Sequence, residues 1–128
     1  MSYLSISTWS LHRELGPLHW NIWNDDEKKI QVRTEEQPEN IKLVDLPATL
    51  DAQGFGAVEI CHFHFQRTDR AYLEQLKSAF AMTDIEFHTL LIDYGDISSP
   101  DEIRRSADVN FIKNGFELLV LLVQNESE

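Results

Sequence analysis

Three strand-like runs alternate with three helix-like segments along this chain, and that alternation narrows the fold more than any other feature. "YLSISTWSL" places Leu4, Ile6 and Thr8 opposite Ser5, Ser7 and Trp9, the period of a strand. "DLPATLDAQGFG" reads as a short helix. Asp45 suits its N-cap, Pro47 its first turn and Gly54 its stop, and Leu46 and Leu50 are spaced i, i+4. "AVEICHFHF", residues 57–65, is a second strand. "TDRAYLEQLKSAFAMTD" sets Leu73, Leu76 and Phe80 on one helical face behind Thr68 or Asp69 as cap. "IEFHTLLID" is a third strand. "YGDISSPDEIRRSADVNFIK" carries a capping box with Ser99 as cap, Pro100 at the first helical position and Glu102 three residues on, and Ile103, Ala107 and Asn110/Phe111 continue the helix. The order is βαβαβα. Two largely apolar strands in such an order predict a parallel sheet covered by helices, an α/β fold.

Between the first strand and the first helix lies a polar stretch, residues 12–42, with "NDDEKK" and "RTEEQPEN". Its weak apolar period predicts a solvated insertion, with Trp20 and Trp23 as the residues able to fold back over a pocket. A chain of 128 residues suits one domain with a real core. Its net charge of -11 repels phosphate backbones and anionic lipid, so nucleic acid and membranes are not expected partners. Cys61 is the single cysteine, which rules out an internal disulfide and a Cys-rich zinc site. With an N-terminus that lacks a signal-peptide pattern, it predicts a cytoplasmic protein.

No G-x-G-x-x-G follows the first strand, and neither a phosphate-binding G-x-x-x-x-G-K-[ST] nor a G-x-S-x-G nucleophile elbow is present. A small doubly wound sheet and part of a (β/α)₈ barrel both accommodate the pattern. Three stretches, "LSISTWSLHRELG", "LVDLPATLDAQGFGAVEICHFHF" and "IEFHTLLIDYGDISSPDEIRRSADVNFIK", resemble the opening of the xylose isomerase-like sugar phosphate isomerase/epimerase family. The most specific parts are "GFGAVEI" and "LLIDYGDI".

The resemblance implies the N-terminal portion of a (β/α)₈ TIM barrel over residues 1–113, about three βα units with parallel strands. It implies a divalent metal (Mn, Mg or Zn) and metal-dependent proton transfer on a sugar or polyol in the intact family member. The same barrel type serves endonuclease IV and inosose dehydratase, so the reaction is not fixed by it. A complete barrel takes about 250 residues, and the family's metal ligands come mostly from later strands. The expectation is a chain with no cofactor of its own, inactive alone, with open sheet edges prone to self-association. The alternative is a small acidic α/β interaction module without chemistry.

Residues 114–128 form an atypical tail. Phe116 and Leu118 to Val123 are apolar on every side and break the period of the preceding helix. We read this as a frameshift after Lys113. One permitted coding sequence, with a single adenine restored, gives an Ala-rich helix, a Gly stop and a strand start. A buried fourth strand and an apolar helix end are the other readings.

For a candidate pocket rim the sequence offers Trp9, His62, His64 and Asp93. "HFHF" after a strand ending near Cys61 falls in a strand-to-helix loop, where barrels build their sites. Packed or surface roles compete for each histidine. His62 and His64 alone fall short of the three or four ligands a metal needs. Trp9 suits a pocket wall or the core, and Asp93 and Asp96 flank Gly95 as turn residues do. Glu59, within an apolar strand, calls for a partner or a polar layer. His88 reads as structural, and His12 and His19 as surface residues.

Overall fold

The computed structural model describes residues 4–123. Strand β1 (Leu4–Ser7) runs parallel to β4 (Phe55–Cys61), and β4 runs parallel to β5 (Glu86–Leu91). The expected three-stranded parallel sheet is therefore present, in the order β1-β4-β5. Register separates its faces. Ile6 pairs with Val58, Val58 with Phe87 and Ile60 with Leu90, all on one face; Ser7 pairs with Glu59, Glu59 with Thr89 and Cys61 with Leu91 on the other. A bulge in β5 absorbs the exposed His88 between Phe87 and Thr89 and keeps the faces in phase.

The apolar face is covered by three helices: α1 (Leu46–Ala52), α2 (Arg70–Ala81) and α3 (Glu102–Val123). Leu46 and Leu50 from α1, Leu73 and Leu76 from α2, and Leu118 and Leu122 from α3 meet Val58 and Ile60 in one core cluster. Asp69 caps α2 by accepting from the Tyr72 amide at 3.2 Å. Asp45 holds the cap position of α1 without a side-chain bond, and Gly54, at φ +89°, turns the chain back into β4.

One expectation about α3 needs correction. Its cap is Asp101, not Ser99: the Asp101 carboxylate accepts from the Ile103 amide at 3.0 Å and the Arg104 amide at 3.4 Å. Ser99 acts one step earlier, accepting from the Asp101 amide at 3.2 Å. Of the readings of the tail, residues 114–123 follow the apolar helix end and continue α3 rather than forming a fourth strand. Leu118 and Leu122, spaced i, i+4, reach the core, while Phe116 and Val120 remain exposed. Gly115 lets the helix approach Ile92, because a Cβ there would collide with the Ile92 side chain.

The polar stretch is a second sheet rather than a loop. Strand β2 (Leu18–Asn24) pairs antiparallel with β3 (Lys29–Glu35) in a hairpin. Period-two alternation is present in β2, but polar residues on both faces hide it. Leu18 and Trp20 pack with Cys61 and Phe63, while His19 and Asn21 point elsewhere. "NDDEKK" makes the tip, with Lys28 at φ +54°. The hairpin closes at its base through the Leu15–Glu39 bridge and the Gly16 amide on the Pro38 carbonyl at 3.0 Å. At the tip, Lys28 bridges to Asp101 at 2.7 Å, and the Arg104 guanidinium stands 5.9 Å from the Trp23 ring centroid. No helix among the described residues is long and apolar enough to cross a membrane.

Candidate functional site

Parallel strands bring their C-terminal ends to one side, and the segments leaving β1, β4 and β5 gather there. After β1 the chain winds into a 3₁₀ turn, Thr8–Leu11, so Trp9 follows the first strand rather than ending it. After β4 a second 3₁₀ turn, His62–His64, places the two histidines in different surroundings. Phe63 between them is a hub, 4.4 Å from the Trp20 ring, 4.6 Å from His64 and 5.8 Å from Trp9.

A cleft of about 530 Å³ opens on this side, between the hairpin, the loop after β4 and α3. That size suits a small ligand. Its apolar floor includes Phe65, Leu73, Phe111 and Leu118, and its polar rim His19, Asn21, His62, Gln66, Arg67 and Asn114. His62 is half-buried, 5.1 Å from the Phe111 ring and 6.2 Å from the Phe65 ring. Burial holds its imidazole below the usual histidine range, so at neutral pH it is uncharged, with one nitrogen a donor and the other an acceptor.

Gln66 is pinned across the base of the hairpin. Its amide nitrogen donates to the Leu15 and Pro17 carbonyls, each at 3.0 Å. The amide oxygen therefore faces His19 Nε2 at 3.0 Å, and His19 must donate there. This leaves His19 Nδ1 as the nitrogen that can accept while the ring is neutral. His19 was expected at the surface; it is half-buried and lines the cleft because the hairpin carries it there.

The remaining candidates separate. His64 does not reach the rim: it is fully buried, with Nδ1 2.7 Å from Thr8 Oγ1. The same hydroxyl oxygen accepts from the Cys61 amide at 2.9 Å, which ties the ends of β1 and β4 together. Burial, with a smaller repulsion from His12, pushes the His64 imidazole down to about 4. Trp9 is exposed and stacks on His12 at 4.9 Å, outside the cleft. Asp93 is exposed, yet with His62, Trp20 and Tyr94 it flanks a smaller cavity beside the main cleft. Glu59 accepts from Ser7 Oγ at 3.1 Å on the helix-free face.

Asp108 was missed by sequence reasoning. Fully buried in α3, it accepts from Tyr94 Oη at 2.7 Å, the Asp96 amide at 2.9 Å and Arg104 Nε at 3.4 Å. It fastens the loop after β5 to the helix. Burial, then the bond to Asp108, pushes the Tyr94 phenol up to about 12. The available signal was its place four residues after Arg104, which alone looks like an ordinary surface pair.

The divalent metal implied by the resemblance finds no cage here. Among the described residues no three His, Cys, Asp or Glu side chains come together for one. His62 and Asp93 offer two ligands at most, against the three or four a metal takes. Comparison with known proteins adds no relative: no family model, no curated protein and no solved structure matches the chain.

Proposed function

We propose that the chain binds a small neutral sugar or polyol in the cleft beside His62, as the opening βα units of a xylose isomerase-like (β/α)₈ barrel. The observation that carries this reading is the position of the cleft. The segment leaving β4 lines it, and the segments leaving β4 and β5 meet in the smaller cavity beside it, at the strand ends where such barrels bind their substrates. Its chemistry agrees. The rim offers the uncharged His62 imidazole and the side-chain amides of Asn21, Gln66 and Asn114, which both donate and accept as hydroxyl groups do, above an aromatic floor on which C–H faces pack. The role we assign to these residues is to bind and orient. The proton transfer of the intact family would need a metal cage contributed by other residues.

Calorimetry tests the reading. Xylose or xylitol should bind with millimolar affinity, and His62→Ala should weaken binding at least tenfold while leaving the melting temperature nearly unchanged. Absence of heat with either compound sinks it, as does unaltered affinity in a folded His62→Ala chain.

A second reading, an acidic module that self-associates, has its own observation. Phe116 is 65 % exposed and Val120 42 % exposed, one turn apart on α3, and β1 and β5 each have an edge unpaired within the described sheet. Sedimentation decides: a dimer that Phe116→Glu converts to a monomer favours it, and a monomer at all concentrations removes it.

A further inference from the structure

We infer that the small cavity beside the main cleft is a recognition subsite for a single hydroxyl group, with Trp20 Nε1 as its donor. This rests on the cleft being the binding site, and it adds which ligand group is read and by what. The cavity holds about 10 Å³, close to one water-sized group. Asn21, His62 and Phe111 line both spaces, so the two lie side by side, and the proposal has a ligand in the cleft place one group past these residues.

The indole nitrogen of Trp20 is buried and has no hydrogen-bond partner among the described residues. A buried N–H without an acceptor is costly, and an indole can only donate. Whatever satisfies it must present an acceptor. Asp93 and His62 also line the cavity, and the His62 ring is uncharged at neutral pH. Asp93 repels an anion, so a carboxylate or phosphate is disfavoured, and the chain's net charge of -11 acts in the same direction. An ammonium group suits Asp93 but has no lone pair for the indole. An ether oxygen accepts from the indole but gives the exposed Asp93 carboxylate no donor in return for the solvent it displaces. A hydroxyl does both: it accepts from Trp20 and donates to Asp93 or to the accepting nitrogen of His62.

The experiment follows the three indole N–H signals of the full chain by ¹⁵N-edited NMR, one for each tryptophan. Substituting Trp9 and Trp23 by Phe, one at a time, assigns the Trp20 signal by elimination without disturbing the cavity. Xylitol should shift the Trp20 signal with saturation, in step with the backbone signals of His62 and Asn114, while Trp9 and Trp23 stay put. An ether of equal length without hydroxyls should leave Trp20 unmoved. Trp20→Phe should weaken xylitol binding about fivefold, the loss of one neutral hydrogen bond, and Asp93→Asn should leave the chain folded with weaker binding. Shifts at His62 and Asn114 with Trp20 silent would overturn the subsite and leave the cleft reading standing. An equal Trp20 shift with the ether would also overturn it. No shift at any cleft residue would remove both.

Discussion

The two faces of the β1-β4-β5 sheet are built for different work. Ile60 and Glu59 are neighbours in one strand, yet Ile60 is fully buried under three helices while Glu59 is half-buried beside a serine hydroxyl. The helix side has a continuous apolar cluster. The other side carries Ser5, Ser7, Glu59 and Thr89, and the hairpin covers only its C-terminal end, at Cys61. Cohesion therefore concentrates on one face, and the clefts lie toward the end of the sheet.

That contrast can be broken by substitution. Ile60→Ala should cost about 3 kcal/mol in chemical denaturation, because it leaves a cavity among packed helices. A loss near zero would mean that the cluster is loosely packed. Asp108→Ala should come next, at about 2 kcal/mol, since Tyr94 and the Asp96 amide lose their buried acceptor. The loop after β5 should then show faster amide exchange, and unchanged exchange at Asp96 would contradict the assigned role.

The third test is pH. His64 has a lowered value in the fold, about 4 against an ordinary 6.5, so the unfolded chain binds more protons between those values. Stability from keeping His64 neutral is present above about 6.5 and is lost as pH falls toward about 4. The melting temperature should decline over that window, and His64→Gln should flatten the decline. An identical slope in the variant would show that carboxylates alone produce it. The smallest effect is expected at Glu59→Gln, within about 0.5 kcal/mol, because Ser7 can donate to an amide oxygen as well. A loss approaching that of Ile60→Ala would end the distinction between the faces.

The α/β core was legible because each element carried its own signal. Leu73, Leu76 and Phe80 declared a helix, and Gly54 its predecessor's stop. The hairpin was not, because His19 and Asn21 are polar residues that line a cleft rather than a core, and Trp23 is an amphipathic residue spent under Arg104. Period two is invisible when both faces are used. The end of α3 was obscured for the opposite reason. An almost wholly apolar run has no period to follow, and only the spacing of Leu118 and Leu122 records which side is buried. His62 could be placed near a site from its position after a strand. Its divergence from His64 could not, since it depends on which histidine the 3₁₀ turn directs toward Thr8. Trp20 was singled out for folding back over a pocket, and its ring lies on Phe63; Trp23 lies instead under Arg104.

The bridge between Leu15 and Glu39 has a consequence for how this chain can change. It brings the two ends of the hairpin segment together, just before β2 and just after β3. The entropy of closing that loop is already met at its base, and it grows only with the logarithm of loop length. Lengthening, shortening or replacing the segment between the two residues thus costs the rest of the molecule little, provided Cys61 and Phe63 keep a cover. One wall of the cleft is free to vary in sequence and length while the sheet and its helices stay as they are. The shape and lining of the cleft in such a scaffold can drift without the fold being renegotiated.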